Sequence, residues 1–213
     1  MKQSVCFFVL SIVLFSCSKR QVNSVAEYSG WINNPDNGLI VTRKINGLKI
    51  SVKYLPVEYL EYKEMEGDNG MIKNQLGSLK KEYENSMTFL MTIGPDENKG
   101  NKNDIMFDKI ANYKEYSERL LSLNFEIDKN ITLKSGDVEL KPVLSALENT
   151  YGLSKSRNIV FAFAITKNEK QEIEKSKDVD FMYSDELFQL GLMHFNFSKN
   201  NLENLPLISQ WKK

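Results

Sequence analysis

From about residue 39 onward, apolar and polar positions alternate repeatedly with the period of two that marks a half-buried strand. "LIVTRK" (39–44) and "LKISVKYL" (48–55) form the first such pair. Between them Ile45-Asn46-Gly47 predicts a tight hairpin, because Asn and Gly both accept the positive φ of a type I′ turn. "MTFLMTIG" (87–94) is apolar almost throughout and predicts a central strand. Further strands are expected at "NFEID" (124–128), "ITL" (131–133), "VELKPVL" (138–144), "NIVFAFAIT" (158–166), "VDFMY" (179–183) and "GLMHFNF" (191–197), the last with Met193, Phe195 and Phe197 on one face. Helical spacing replaces alternation in "IMFDKIANYKEYSERLLSL" (105–123), with Asp104 as its expected N-cap. "VEYLEYKEM" (57–65) reads as a short helix or extended polar segment, and a second polar helix is expected at about 72–85. The charged stretch "KNEKQEIEKSK" (167–177) reads as a protruding loop or hairpin tip. The whole is mainly β to α+β: an antiparallel β-sandwich-like domain of about seven strands with about two inserted helices.

The first residues break this pattern. Met1-Lys2-Gln3 is a short positive segment, and Ser4 to Phe15 is apolar on every side and too short to cross a bilayer comfortably as a helix. It stops at Cys17 and gives way at once to Ser18-Lys19-Arg20.

Leu14-Phe15-Ser16-Cys17 resembles the lipobox of bacterial lipoproteins, with a branched aliphatic residue three before the cysteine and a small one directly before it. Phe15 departs from the commonest pattern, which has a smaller residue there. The resemblance implies cleavage between Ser16 and Cys17 and a diacylglycerol thioether on Cys17, so the bilayer becomes the chain's first partner. Residues 1–16 are then a signal peptide, 17–30 a lipidated tether and 31–213 one globular domain. Ser18, where an aspartate would resemble the inner-membrane retention signal of enteric bacteria, and the absence of an acidic cluster just after it, favour the periplasmic side of an outer membrane over the cell surface.

Cysteine use narrows the chemistry. Cys6 and Cys17 are the only cysteines, the first inside the expected signal and the second consumed by lipid, which leaves no thiol for a disulfide, a metal site or a nucleophile. Lys plus Arg balance Asp plus Glu at 28 each, so no global field attracts nucleic acid. His194 is the only histidine and falls opposite the apolar face of its strand, an ordinary surface position. Neither a metallopeptidase HExxH, a CxxC, a Walker loop nor a GxGxxG occurs. No cofactor beyond the covalent lipid is expected.

Two constellations remain. Asp178, Asp180, Asp185 and Glu186 cluster in "DVDFMYSDELF", where Asp178 and Asp180 share a strand face; paired carboxylates can bind calcium or hydrolyse glycosides, and the first three are weak calcium candidates. Tyrosines 54, 59, 62, 83, 113, 116 and 151 are the other, with Tyr54, Tyr59, Tyr62 and Tyr151 as candidate contacts for a glycan or peptide, although flanking a core explains them more simply. The leading functional reading is non-enzymatic: a lipoprotein that docks an envelope protein as a structural subunit. The alternatives are a glycan- or peptide-binding lipoprotein using surface tyrosines and, third, a carboxylate-based hydrolase.

Overall fold

Phe89, Phe161 and Phe163 on one antiparallel sheet meet Phe181 and Phe197 on another, with ring centroids 5.4–6.1 Å apart. All five rings are inaccessible to solvent. Burying each contributes about 1.5–3 kcal/mol, and the tilted and edge-on pairings add about 0.5–1.5 kcal/mol apiece. This aromatic seam is the centre of a computed structural model that describes residues 21–61, 83–99, 103–150 and 152–208.

The first sheet has five strands, β2 (Ile40–Ile45), β3 (Leu48–Leu55), β4 (Ser86–Pro95), β7 (Leu144–Leu147) and β8 (Arg157–Ala164), in the order β2-β3-β4-β8-β7. The second has four, β5 (Ile131–Ser135), β6 (Val138–Leu140), β9 (Asp178–Asp185) and β10 (Gly191–Ser198), in the order β10-β9-β5-β6. Every pairing within the two sheets is antiparallel. The fold is therefore a β-sandwich-like α+β body, as the alternation implies. The β2–β3 hairpin turns at Asn46 and Gly47 with φ of 51° and 81°, the two positive values that a type I′ turn demands. β4 occupies the middle of its sheet, and Met193, Phe195 and Phe197 all face the core.

Several expectations are corrected. Residues 21–30 do not form a tether: β1 (Gln21–Val22) pairs in parallel with β11 (Leu207–Ile208), and α1 (Val25–Ile32) follows at once. Ser24 caps α1, and Val25, Tyr28 and Ile32 are buried at helical spacing, so the folded body begins before Trp31. The helix expected from 105 starts later, as α2 (Tyr113–Phe125). Asn112 is its cap, its side chain accepting from the Glu115 amide while Glu115 accepts from the Ala111 amide at 2.9 Å. Asp104 is engaged elsewhere, accepting from the Met106 amide and pairing with Arg157, each at 2.8 Å. The end of α2 and a 3-10 turn over 127–130 replace the strand expected at 124–128.

"VELKPVL" is split at Pro142, which cannot donate to a ladder: β6 stays in the four-stranded sheet while β7 crosses to the other. Lys141 pins the corner by donating to the Ile131 carbonyl and the Thr132 hydroxyl. The charged stretch from 167 is a helix, α3 (Lys167–Lys175), not a loop. A capping box explains it, with Thr166 and Glu169 satisfying each other's backbone amides. A last short helix, α4 (Lys199–Glu203), follows β10. Residues 57–61 are helical, and most of the helix expected at 72–85 lies outside the described residues. Among the described residues no helix is long and apolar enough to cross a membrane.

Candidate functional site

The turn before α2 carries an aromatic group that the body supports without covering. Phe107 stacks on Tyr116 with centroids 5.2 Å apart and an interplanar angle of 18°, and Tyr116 stacks on Tyr113 at 6.0 Å and 23°. Phe107 is nevertheless 61% exposed and Tyr113 81%. With Ile110 they line a mainly apolar hollow of about 480 Å³. Leu121 and Phe125, further along α2, are exposed too, as are Val143 and Leu144 at the start of the edge strand β7, against which α2 packs.

What holds Phe107 in place is a buried cation. Arg119 reaches from α2 to donate to the carbonyls of Ile105 and Asp108, on either side of Phe107. Its guanidinium also sits 5.1 Å over the Phe188 ring in the β9–β10 loop. Burial lowers its pKa from the usual arginine value, while Asp108 and Glu115 act in the opposite sense. The turn is fixed at its other end by the Asp104–Arg157 ion pair and by the Ile105 amide donating to the Lys155 carbonyl. Ordering this platform on binding therefore costs little further conformational entropy.

A second concave surface of about 800 Å³ lies over the outer face of the five-stranded sheet. Thr42, Ser51, Thr92 and Asn158 lie directly opposite one another across four strands. Thr42 and Ser51 share a hydrogen bond of 2.8 Å, and Thr92 donates to Asn158 at the same distance. One row along, Lys44 faces Lys49, and beside them Gly94 leaves room for Ser156, whose hydroxyl would lie 2.0 Å from any Cβ at 94.

The residues expected at a site fare unevenly. Tyr54 is partly buried: its ring packs onto Phe89 at 5.4 Å, and burial, with Glu58 beside it, pushes its pKa up to about 12. Tyr59 packs against the core. Tyr62 and Tyr151 lie outside the described residues. Asp178 and Asp180 do share the outer face of β9, but Asp185 points to the opposite one. There it accepts from the Tyr183 hydroxyl at 2.6 Å and from the Phe188 and Leu190 amides, so it anchors the β9–β10 loop and does not join a calcium cluster. No group of three or more metal-ligating side chains occurs among the described residues. His194 is half exposed on the outer face as expected, and Asp180 bonds its Nδ1 at 2.6 Å across β9 and β10.

Sequence reasoning missed Arg119 and Phe107. An arginine amid the apolar positions of an amphipathic helix was the available signal, but its acceptors are backbone carbonyls, which leave no trace in side-chain patterning. No family model and no curated protein matches this chain. Among solved structures it is similar to a protein of unknown function from Burkholderia pseudomallei, at 9% identity and a TM-score of 0.42 over 84% of this chain and 88% of that one.

Proposed function

We propose that this chain is a non-enzymatic envelope lipoprotein, anchored through an acylated Cys17 on the periplasmic side of an outer membrane, that docks another envelope protein through the Phe107–Tyr113–Tyr116 platform. The observation that carries the docking role is the combination of exposure and restraint: aromatic rings left open to solvent on a turn held by a buried arginine. Exposed contiguous apolar surface marks interaction sites, and rigid aromatics are the residues that most often dominate binding energy. The partner this fits is a protein presenting apolar side chains, since the hollow lined by Phe107, Ile110 and Tyr113 offers little for a charged group to pair with. The anchor is supported by the lipobox resemblance at 14–17.

A photo-crosslinking amino acid placed at Tyr113 in cells tests the docking role. It should capture one stoichiometric envelope protein, and Phe107→Ser should abolish that product while leaving the melting temperature within a few degrees. Capture of no defined partner, or capture indifferent to Phe107→Ser, refutes the platform. For the anchor, Cys17→Ser should abolish labelling by a palmitate analogue; undiminished labelling refutes it.

A further inference from the structure

We propose that the groove over the five-stranded sheet is a binding site for an anionic oligosaccharide, on a surface separate from the docking platform. The first ground is charge. Four lysines, 44, 49, 53 and 155, line the groove against two acids, Asp96 and Glu97, in a chain whose charges cancel overall. Lys44 and Lys49 face each other directly on antiparallel strands, an arrangement that costs stability unless something neutralises it. Asp96 pairs with Lys44 at 3.1 Å, but the Lys49 side chain has no ion-pair or hydrogen-bond partner among the described residues. Lys155 is held only loosely by Glu97 at 3.8 Å, with both side chains half exposed or more, and so can exchange that partner for a ligand.

The second ground is the polar floor between the charges. Along β3 the outward side chains run Lys49, Ser51, Lys53, a charge, a hydroxyl and a charge over about 13 Å at strand spacing. Thr42, Ser51 and Thr92 each spend one hydrogen bond within the row and keep lone pairs to offer sugar hydroxyls. A volume of about 800 Å³ is in the range that holds a small oligosaccharide.

Other anionic ligands fit less well. A peptide adding as a strand pairs along a sheet edge, here β2 at the rim, whereas the floor of the groove is the face of β3 and β4, which have both neighbours in place. Single-stranded nucleic acid needs aromatic faces for its bases, and none line this groove among the described residues.

The test titrates the purified full chain with hexagalacturonate, with maltohexaose and hexaglutamate as neutral-sugar and acidic-peptide controls, following binding by calorimetry and by amide shifts. Hexagalacturonate should bind more tightly than either control, with shifts centred on Ser51 and Thr92. Lys49→Glu, at an exposed position, should weaken it by on the order of tenfold, and Thr42→Val by roughly threefold. Phe107→Ser should leave it unchanged, so a failed docking platform and a failed groove give different results. Absence of hexagalacturonate binding, equal affinity for either control, or indifference to Lys49→Glu overturns the proposal.

Discussion

The guanidinium of Arg119 donates to the Asp108 carbonyl at 2.8 Å and lies 5.1 Å above the Phe188 ring, so one buried cation ties α2, the 104–110 turn and the β9–β10 loop together. Its removal strands two acceptors. Arg119→Met keeps the bulk of the side chain but leaves the Ile105 and Asp108 carbonyls without their donor, at an expected cost of about 2–4 kcal/mol in urea unfolding with an unchanged m-value. Hydrogen exchange should quicken most at residues 105–108. A loss under about 0.5 kcal/mol, the size of an ordinary surface substitution, would mean that the turn stands without its arginine.

Asp185 provides a second anchor for the same region. One carboxylate oxygen accepts from the Tyr183 hydroxyl and the other from the Leu190 amide, and the Phe188 amide contacts both. An asparagine has a single acceptor oxygen, so its NH₂ must face a donor. Asp185→Asn should therefore cost about 2–3 kcal/mol although it is nearly isosteric. Tyr183→Phe should cost less, about 1–2 kcal/mol, and a double-mutant cycle should show the two coupled. Additive losses would sever the link.

How far residues 167–177 and 105–125 were legible shows where patterning works. Period-two alternation located most strands of the two large sheets because each face meets a different medium, and that difference is written in every second residue. α3 has only Ile173 packed against the core, so its hydrophobic signal is faint; Thr166 and Glu169 spelled a capping box, a local signal that charge density obscured. At 105–112 the apolar spacing is helical, yet the Asn112–Glu115 cap and the use of Asp104 in a turn move the start of α2. The platform was legible only as tyrosines. That Tyr54 faces the core while Tyr113 faces water depends on which strand or helix face each occupies and on what packs there.

Tyr54 also gives the fold a defined alkaline limit. Burial and Glu58 raise its pKa from 10.0 to about 12, so the folded state favours the neutral phenol. Because the folded value lies above the unfolded one, this contribution is complete below pH 10 and is lost as pH rises from about 10 to about 12. In that window the loss approaches about 1.4 kcal/mol per pH unit. Tyr28 and Tyr183, whose pKa values burial also raises, add losses of the same sign. Chemical denaturation from pH 9 to 12 should show a steeper decline for the wild-type chain than for Tyr54→Phe. Parallel declines would place Tyr54 in water.

Phe181 and Phe125 separate the core from the docking surface. Phe181 is fully buried and touches Phe89, Phe161, Phe163 and Phe195, so it joins both sheets. Phe181→Ala should cost about 3–5 kcal/mol, the sum of lost transfer energy and the cavity left between sheets that cannot collapse onto each other. Phe125, at the end of α2, is 71% exposed, so Phe125→Ser removes little that folding has buried and should shift stability by no more than about 0.5 kcal/mol. If the exposed face of α2 docks a partner, that same change should weaken capture by a crosslinker at Tyr113. A Phe125→Ser chain that is strongly destabilised would show this face to be structural, and one that is stable with undiminished capture would confine docking to the turn and the first half of α2.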